Sequence, residues 1–202
     1  MTDLFQDKAA EWDSRPVPQQ ISQGVVEALR ARVPLSPEMT VMDFGAGTGL
    51  LAGALAPSVG HLHAVDVSAA MLAQLAAKDA LRDKVTVHCH DLTASPLDLR
   101  VDLVVSAMAM HHVADTPALL RALFACLRDG GRVALADLDA EDGTFHPPGV
   151  EGVFHAGFSR DALGAMLVEA GFVDIAFATA TVVQKDAKSY PVFLVTASRA
   201  AR

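Results

Sequence analysis

The sequence predicts an α/β fold in which helices cover both faces of a mostly parallel sheet. The first observation is that short apolar runs alternate along the chain with stretches of helical pattern. The second is that the apolar run at 40–44 leads directly into a loop with glycine at 45, 47 and 49. The third is the length of 202 residues, which suits one domain with a sizeable core.

Each element is predicted from its local pattern. The seven predicted strands are apolar runs at 40–44, 61–65, 85–88, 102–106, 132–138, 173–179 and 192–197. The five predicted helices are the stretches at 20–32, 49–56, 69–77, 117–127 and 159–170. Three of them have a predicted N-cap, at Ser68, Thr116 and Ser159. The last two are predicted to end at Gly130-Gly131 and at Gly171.

Composition narrows the class of protein. The net charge of −8 and the pI near 5.4 argue against a groove for nucleic acid, which requires clustered Lys and Arg. The two cysteines, Cys89 and Cys126, support neither a disulfide framework nor a cysteine zinc site, and we expect both in the core. No apolar run suits a signal sequence or a membrane span, so the expected location is the cytoplasm.

The glycine loop is the strongest functional signal. Glycine lets a chain turn sharply after a strand and brings bare backbone close to a ligand. A dinucleotide-binding loop needs a third glycine where this chain has Leu50, so the pattern disfavours a nicotinamide cofactor. Asp43 precedes the loop, and Asp66 ends the next apolar run about twenty residues on, where a ribose-binding acid is expected.

Four motifs follow one another along the chain. They are Val-Met-Asp-Phe-Gly-Ala-Gly-Thr-Gly at 41–49, Ala-Val-Asp-Val-Ser at 64–68, His-Asp-Leu at 90–92 and Leu-Arg-Asp-Gly-Gly-Arg at 127–132. Together they resemble the class I S-adenosylmethionine-dependent methyltransferases. The resemblance is closest to the small-molecule branch that includes the ubiquinone and menaquinone biosynthesis-like enzymes. It implies a Rossmann-like three-layer sandwich with seven strands, the last one antiparallel and beside the fifth.

The resemblance also implies an organisation into two parts. Residues 20–202 form the methyltransferase domain, and residues 1–19 form an N-terminal lid. Phe5, Ala9 and Trp12 give this first segment an apolar side, as in similar sequences that close over the cofactor, although a plain terminal helix fits equally well. The irregular segment 139–157, rich in Gly, Pro and His, is expected to cover the acceptor pocket.

The cofactor implied is S-adenosylmethionine, and the resemblance assigns its contacts along the strand ends. The contacts of the methionine part are Asp43, Gly45, Ala46, Gly47 and Gly49, and the contact of the ribose is Asp66. The contacts of the adenine are Val67, Met71, Asp91 and Leu92, and those of the sulfonium are Ser106 and Ala107. Two simpler interpretations stay open from the residues alone. Met71 fits a core position, and Asp91 fits an ordinary loop acid.

Histidines are the candidate catalytic residues. His112 and His155 are the candidates for a general base, with His146 or the acids Asp137 and Asp139 as other proton acceptors. Loop ordering is the competing role for His112 and His155. No metal site is predicted, because adjacent side chains such as those of His111 and His112 are expected to diverge.

The predicted function is in-line methyl transfer to a small-molecule acceptor, with neither nucleic acid nor membrane as a partner. The alternative is a sensor or partner protein that binds S-adenosylmethionine or S-adenosylhomocysteine without turnover, since a fold alone does not prove activity. A nicotinamide oxidoreductase is a third and weaker interpretation because of Leu50. The sequence leaves the acceptor and the oligomeric state open.

Overall fold

We describe the protein from a computed structural model, which describes residues 3–201. The strands are β1 (Thr40–Phe44), β2 (His61–Asp66), β3 (Val85–Cys89), β4 (Val101–Ala107), β5 (Leu127–Leu138), β6 (Val173–Lys185) and β7 (Lys188–Ser198). The α-helices are α1 (Pro16–Arg30), α2 (Leu50–Leu55), α3 (Ala69–Ala76), α4 (Thr116–Cys126) and α5 (Arg160–Glu169). Short 3-10 helices cover Gln6–Ser14, Ala56–Ser58, Asp79–Leu81 and Met110–His112.

The strands form one sheet in the order β3-β2-β1-β4-β5-β7-β6. All neighbours are parallel except at β7, which is antiparallel to both β5 and β6. The predicted sheet, including the antiparallel last strand beside the fifth, is therefore confirmed. At the centre, Phe44 of β1 pairs with Val65 of β2 and with Ser106 of β4. The loops after these three strands consequently open at the same edge of the sheet.

Two apolar cores lie on opposite faces of the sheet and give the predicted three layers. On one face, α1, α2 and α3 supply Leu29, Leu55 and Leu75. On the other face, α4 and α5 supply Leu120 and Leu167. All five leucines are at most 1 % exposed, so the helices of both layers bury these side chains against the strands.

Most predicted element boundaries hold within a few residues, but two details are wrong. Gly130 and Gly131 do not end α4, which ends at Cys126; they lie within β5, at an irregularity in its register with β4. Asp115, not Thr116, caps α4 by accepting a 2.8 Å hydrogen bond from the Ala118 N–H. The predicted caps Ser68 and Ser159 are confirmed, and Gly171 follows the end of α5.

The cysteines lie in different environments. Cys126 is buried in α4 as expected, whereas Cys89 at the end of β3 is exposed, so its prediction as a core residue is wrong. Across residues 3–201, none of the helices combines the length and apolarity needed to cross a bilayer. The cytoplasmic location stays a prediction.

Candidate functional site

The glycine loop after β1 is held against β2 by backbone bonds. The N–H groups of Gly45 and Ala46 donate to the Val65 carbonyl at 2.8 and 3.2 Å. A Cβ on Gly45 would lie 2.2 Å from the Ala109 Cβ, so close packing excludes a side chain there. Gly47 differs, because its φ is +53° while a Cβ would meet nothing within 4 Å among residues 3–201. The loop therefore presents open space at Gly47, as a ligand cradle would.

Asp43 is the buried support of this loop. Its side chain accepts a 3.1 Å hydrogen bond from the Ala52 N–H at the start of α2, and the residue is 1 % exposed. Burial raises the pKa of Asp43 to about 8, partly offset by the Ala52 bond and increased slightly by nearby Asp66. A cation placed above the loop would favour the ionised carboxylate.

Asp66 joins the glycine loop to the next helix. One carboxylate oxygen accepts from the Gly47 N–H at 2.8 Å, and the other accepts from the Ser68 N–H at 2.8 Å. Burial raises its pKa, and the two backbone bonds oppose that shift. Each oxygen keeps a second lone pair, so the fixed carboxylate can still accept hydrogen bonds from a diol.

The four predicted adenine contacts occupy different environments. Val67 is 54 % exposed beside Asp66, as an apolar platform for a ring would be. Met71 and Leu92 are buried at 2 % and 4 %. Asp91 accepts hydrogen bonds from the backbone and hydroxyl of Thr93 at 2.8 and 2.6 Å, which lower its pKa. This turn uses one oxygen of Asp91 and leaves the adenine role as a prediction.

Ser106 and Ala107 end β4 next to the glycine loop. Ser106 is fully buried, and its hydroxyl has no hydrogen-bond partner among the described residues. An unpaired buried hydroxyl is costly, which makes this atom unusual in an otherwise satisfied core. Ala107 is half-buried. The predicted sulfonium contact at these two residues stays a prediction.

The N-terminal segment packs across the same edge of the sheet. Asp3 accepts hydrogen bonds from the Ser68 hydroxyl at 2.9 Å and the Ala70 N–H at 3.2 Å, at the start of α3. Asp13 accepts a hydrogen bond from the Thr48 hydroxyl in the glycine loop and forms an ion pair with Lys78. The segment is thus tied to both loops that the cofactor assignment uses.

The histidine pair after β4 lies beside the glycine loop. His111 is 1 % exposed; its Nδ1 lies 2.7 Å from an oxygen of Asp137, which is fully buried in β5. The Nδ1 of His112 lies 2.6 Å from the Gly152 carbonyl oxygen. Because both Nδ1 atoms face acceptors, they carry the protons, and both Nε2 atoms are left with lone pairs.

The expectation that the two adjacent rings diverge is wrong. The rings of His111 and His112 have centroids 4.1 Å apart, because both lie in the tight 3-10 turn Met110–His112. His146, from the irregular segment after β5, adds its Nε2 at 3.2 Å from that of His111. Burial, reinforced by the neighbouring His111, lowers the pKa of both His112 and His146 to about 4.

His155 contacts the turn that precedes α4. Its Nε2 lies 2.9 Å from the Val113 carbonyl and 3.2 Å from the Thr116 hydroxyl, and its ring packs on Phe158. These contacts anchor the irregular segment to the start of α4. Because Nε2 donates its proton to the Val113 carbonyl, Nδ1 keeps a lone pair, and both the base role and the loop-ordering role of His155 stay predictions.

Sequence reasoning missed the association of His111 with Asp137 and His146. Asp137 lies 26 positions and His146 lies 35 positions after His111 in the sequence. They meet His111 only because β4 and β5 are neighbours and the segment after β5 folds back. The one available signal was the position of His111 and Asp137 at the ends of adjacent parallel strands, where ligand sites form in open α/β sheets.

Comparison with known proteins agrees with this geometry. The family profile described as a methyltransferase domain matches residues 17–176. The chain belongs to this methyltransferase domain family. Its relatives include an uncharacterized methyltransferase of Mycobacterium tuberculosis, 36 % identical over 107 residues, covering 53 % of this chain and 54 % of the relative. The chain thus spans about half the length of the first curated relatives that it matches.

More distant relatives have named substrates. The arsenite methyltransferase of Halobacterium salinarum is 28 % identical over 155 residues, covering 71 % of this chain and 39 % of the relative.

Among solved structures, the Haloferax volcanii complex of a methyltransferase with its Trm112 activator matches with a TM-score of 0.79, 19 % identity and 99 % coverage of both chains. The DhpI complex with S-adenosylhomocysteine matches with a TM-score of 0.76 and 22 % identity, over 98 % and 95 % of the two chains. These structures establish the class I methyltransferase fold.

Proposed function

We propose that this methyltransferase-domain protein binds S-adenosylmethionine at the glycine loop and transfers its methyl group to a small molecule. The observation that carries the proposal is the open space at Gly47, next to the fixed carboxylate of Asp66. A loop that served only as a turn would not need an uncovered backbone surface beside an acceptor for sugar hydroxyls.

The residues fit this cofactor in shape and charge. The Gly47 cradle has room for a ligand, and Asp66 has lone pairs left for the two ribose hydroxyls. The exposed side chain of Val67 offers an apolar surface for the adenine. The buried carboxyl of Asp43 lies beneath the loop, where a ligand carrying ammonium and sulfonium charges would stabilise its ionised form.

The chain's own contribution to the reaction is positioning and exclusion of water. When bound, S-adenosylmethionine supplies an electrophilic methyl carbon. The N-terminal segment and the segment 139–157 cover the edge of the sheet where the acceptor must approach, and Phe5 packs on the ring of His112 at 5.3 Å. Holding two reactants in line is worth up to about 7–11 kcal/mol in well-oriented systems.

The acceptor pocket proposed here lies beside the buried histidines. Among the described residues, the Nε2 lone pair of His112 has no hydrogen-bond partner, so it is available to bind a group in this pocket, and the general-base role expected from the sequence stays a prediction. Two of the curated relatives are named for small-molecule substrates, the arsenite methyltransferase and an Arabidopsis thaliana phosphoethanolamine N-methyltransferase. These names support a small-molecule acceptor; the ubiquinone and menaquinone-like branch stays a prediction.

The experiment that tests the proposal is calorimetric titration with S-adenosylmethionine, S-adenosylhomocysteine and NAD, followed by an acceptor screen. We expect micromolar binding of the first two and none of NAD. If neither S-adenosylmethionine nor S-adenosylhomocysteine binds, the cofactor assignment is refuted. Binding without turnover of any acceptor would favour the alternative of a non-catalytic sensor or partner protein.

A further inference from the structure

Three imidazoles from two segments converge in the proposed acceptor pocket. One ring nitrogen from each of His111, His112 and His146 lies within 4.8 Å of the other two. We propose that these three histidines form a binding site for a divalent transition-metal ion of the zinc class. The inference builds on the proposed function, because it places the ion where the acceptor would bind.

The spacing of the nitrogens suits such an ion. The Nε2 atoms of His111 and His146 are 3.2 Å apart. Two ligands at zinc–nitrogen distances of ~2.0–2.1 Å and a tetrahedral angle lie roughly 3.3–3.4 Å apart. The same 3.2 Å also suits a hydrogen bond between the two rings, which is the competing explanation that the experiment must separate from metal binding.

The groups behind the ligands support the metal interpretation. Histidine ligands usually donate their second ring N–H to a carboxylate or carbonyl, which orients the ring and raises its basicity. His111 does so to the buried Asp137, and His112 does so to the Gly152 carbonyl. Both rings are thereby fixed with an Nε2 lone pair available, and the Asp137 carboxylate offsets part of the charge of the ion.

The loop that carries His146 is also held in place. Glu141 accepts hydrogen bonds from the N–H groups of Thr144 and Phe145 at 2.7 and 3.1 Å, just before His146. Phe145 packs edge-on against both His146 and Tyr190. This third ligand is therefore preorganised near the other two, although it lies 34 residues beyond His112 in the sequence.

Three protein ligands leave a fourth position of a tetrahedral ion open. An acceptor hydroxyl or thiol bound there would lose its proton to solvent more readily, because the ion stabilises the anion. The oxygen or sulfur would then bond to the methyl carbon as the carbon–sulfur bond breaks and its electron pair stays on the cofactor sulfur. The site thus favours an acceptor with an ionisable oxygen or sulfur.

The test is metal titration of the full chain after dialysis against EDTA. ZnCl₂ binding is followed by calorimetry and CoCl₂ binding by the visible absorption of tetrahedral cobalt. We expect the wild-type chain to bind one ion. Loss of an outer-shell partner typically lowers metal affinity by ~10–100-fold, and we expect His146→Gln, which removes a direct ligand, to lower it by more. His146 lies on a loop and is only half-buried, so this variant keeps both cores intact; circular dichroism checks its folding.

A matched control removes a second pair of histidines. His63 and His88 lie on the strands β2 and β3 with their ring nitrogens 3.0 Å apart, so they test whether any close pair of histidines would account for metal binding. The double variant H63Q/H88Q should keep the tetrahedral cobalt spectrum and the single stoichiometric site. Loss of binding in this variant, or unchanged affinity in His146→Gln, would overturn the proposal.

The two proposals fail in different ways. If S-adenosylmethionine binds and metal does not, the three histidines form only a hydrogen-bonded cluster and the cofactor site stands. If metal binds as described and the cofactor does not, the metal site stands and the methyl-transfer role is refuted. Binding of both, with metal affinity lost in His146→Gln, supports the two together.

Discussion

At the scale of single residues, Gly47 provides the sharpest test of the cofactor site. Gly47→Ala should abolish S-adenosylmethionine binding, because the added Cβ would occupy the space that the loop leaves open. The matched control is Gly130→Ala, at φ +76° with the nearest atom 3.9 Å away, far from the loop. Both variants carry a similar backbone strain of ~1–2 kcal/mol in unfolding free energy. Equal cofactor affinity in both variants would show that the loop is only a turn.

Asp66 tests the ribose assignment. Asp66→Ala should weaken cofactor binding by ~1.5–3 kcal/mol, because it removes the acceptor for the ribose hydroxyls and the bond that fixes Gly47. Calorimetry measures the change in affinity. Asp79→Ala serves as control, because Asp79 is an exposed acid paired only with Arg82 in the described residues. Unchanged affinity in Asp66→Ala would refute the assignment.

Asp43 makes stability depend on pH. Its pKa of about 8 in the folded protein exceeds the ordinary value of 3.8, so between these values the folded state holds a proton that the unfolded chain has lost. The free energy of unfolding should therefore fall as pH rises through this window, and the contribution is complete only below the unfolded pKa.

Asp43→Asn should flatten this dependence, because the amide keeps an acceptor for Ala52 and does not titrate. Urea unfolding of both proteins at pH 5 and at pH 8.5 checks the prediction. The wild type should lose more stability than the variant between the two pH values, and parallel losses would contradict it.

At the scale of elements, the N-terminal segment is expected to act as a lid. Asp3 and Asp13 tie it to α3 and to the glycine loop. The double variant D3N/D13N should weaken both ties and speed dissociation of S-adenosylhomocysteine. The chain's only tryptophan, Trp12, lies in this segment and reports the rate by stopped-flow fluorescence.

The control for the lid is Glu11→Gln, since this exposed side chain lies on the same segment and takes part in none of those hydrogen bonds. Its dissociation rate should match the wild type. An unchanged rate in D3N/D13N would mean that the segment docks as a plain terminal helix, the other interpretation that the sequence allows.

The sequence predicts elements well where the signal is local. The predicted strand at 40–44 has the observed bounds of β1, because its apolar run is followed directly by glycine. The start of β5 was missed because Gly130 and Gly131 resemble a helix end. They belong to a strand only through distant partners: the Gly130 N–H donates to the Arg199 carbonyl, and the Gly131 carbonyl accepts from the Arg199 N–H.

The site shows the same division between local and distant signals. The glycine loop and Asp66 could be predicted, because spacing along one βα unit encodes them. The cluster of His111 with Asp137 and His146 could not, because it depends on the neighbouring placement of β4 and β5 and on the fold of a loop without periodicity. The proximity of the His111 and His112 rings likewise depends on a local 3-10 turn that no pattern marked.

At the scale of the whole molecule, the proposed cofactor site lies where loops from β1 and β2 and the N-terminal segment meet. Ligand that binds only the folded chain must therefore stabilise the whole domain. S-adenosylhomocysteine at 100 times its dissociation constant should add ~2.7 kcal/mol to the free energy of unfolding. For a chain of 202 residues, this corresponds to a rise in melting temperature of roughly 5–10 °C.

The melting temperature of Gly47→Ala with S-adenosylhomocysteine separates binding at the glycine loop from a general effect of the ligand on stability. That variant should show no rise at the same ligand concentration, because its cradle is filled while both cores on the two faces of the sheet remain. Gly130→Ala should show the full rise from its own lower starting temperature. A rise of the same size in Gly47→Ala would place the ligand elsewhere on the molecule and contradict the assignment of the glycine loop.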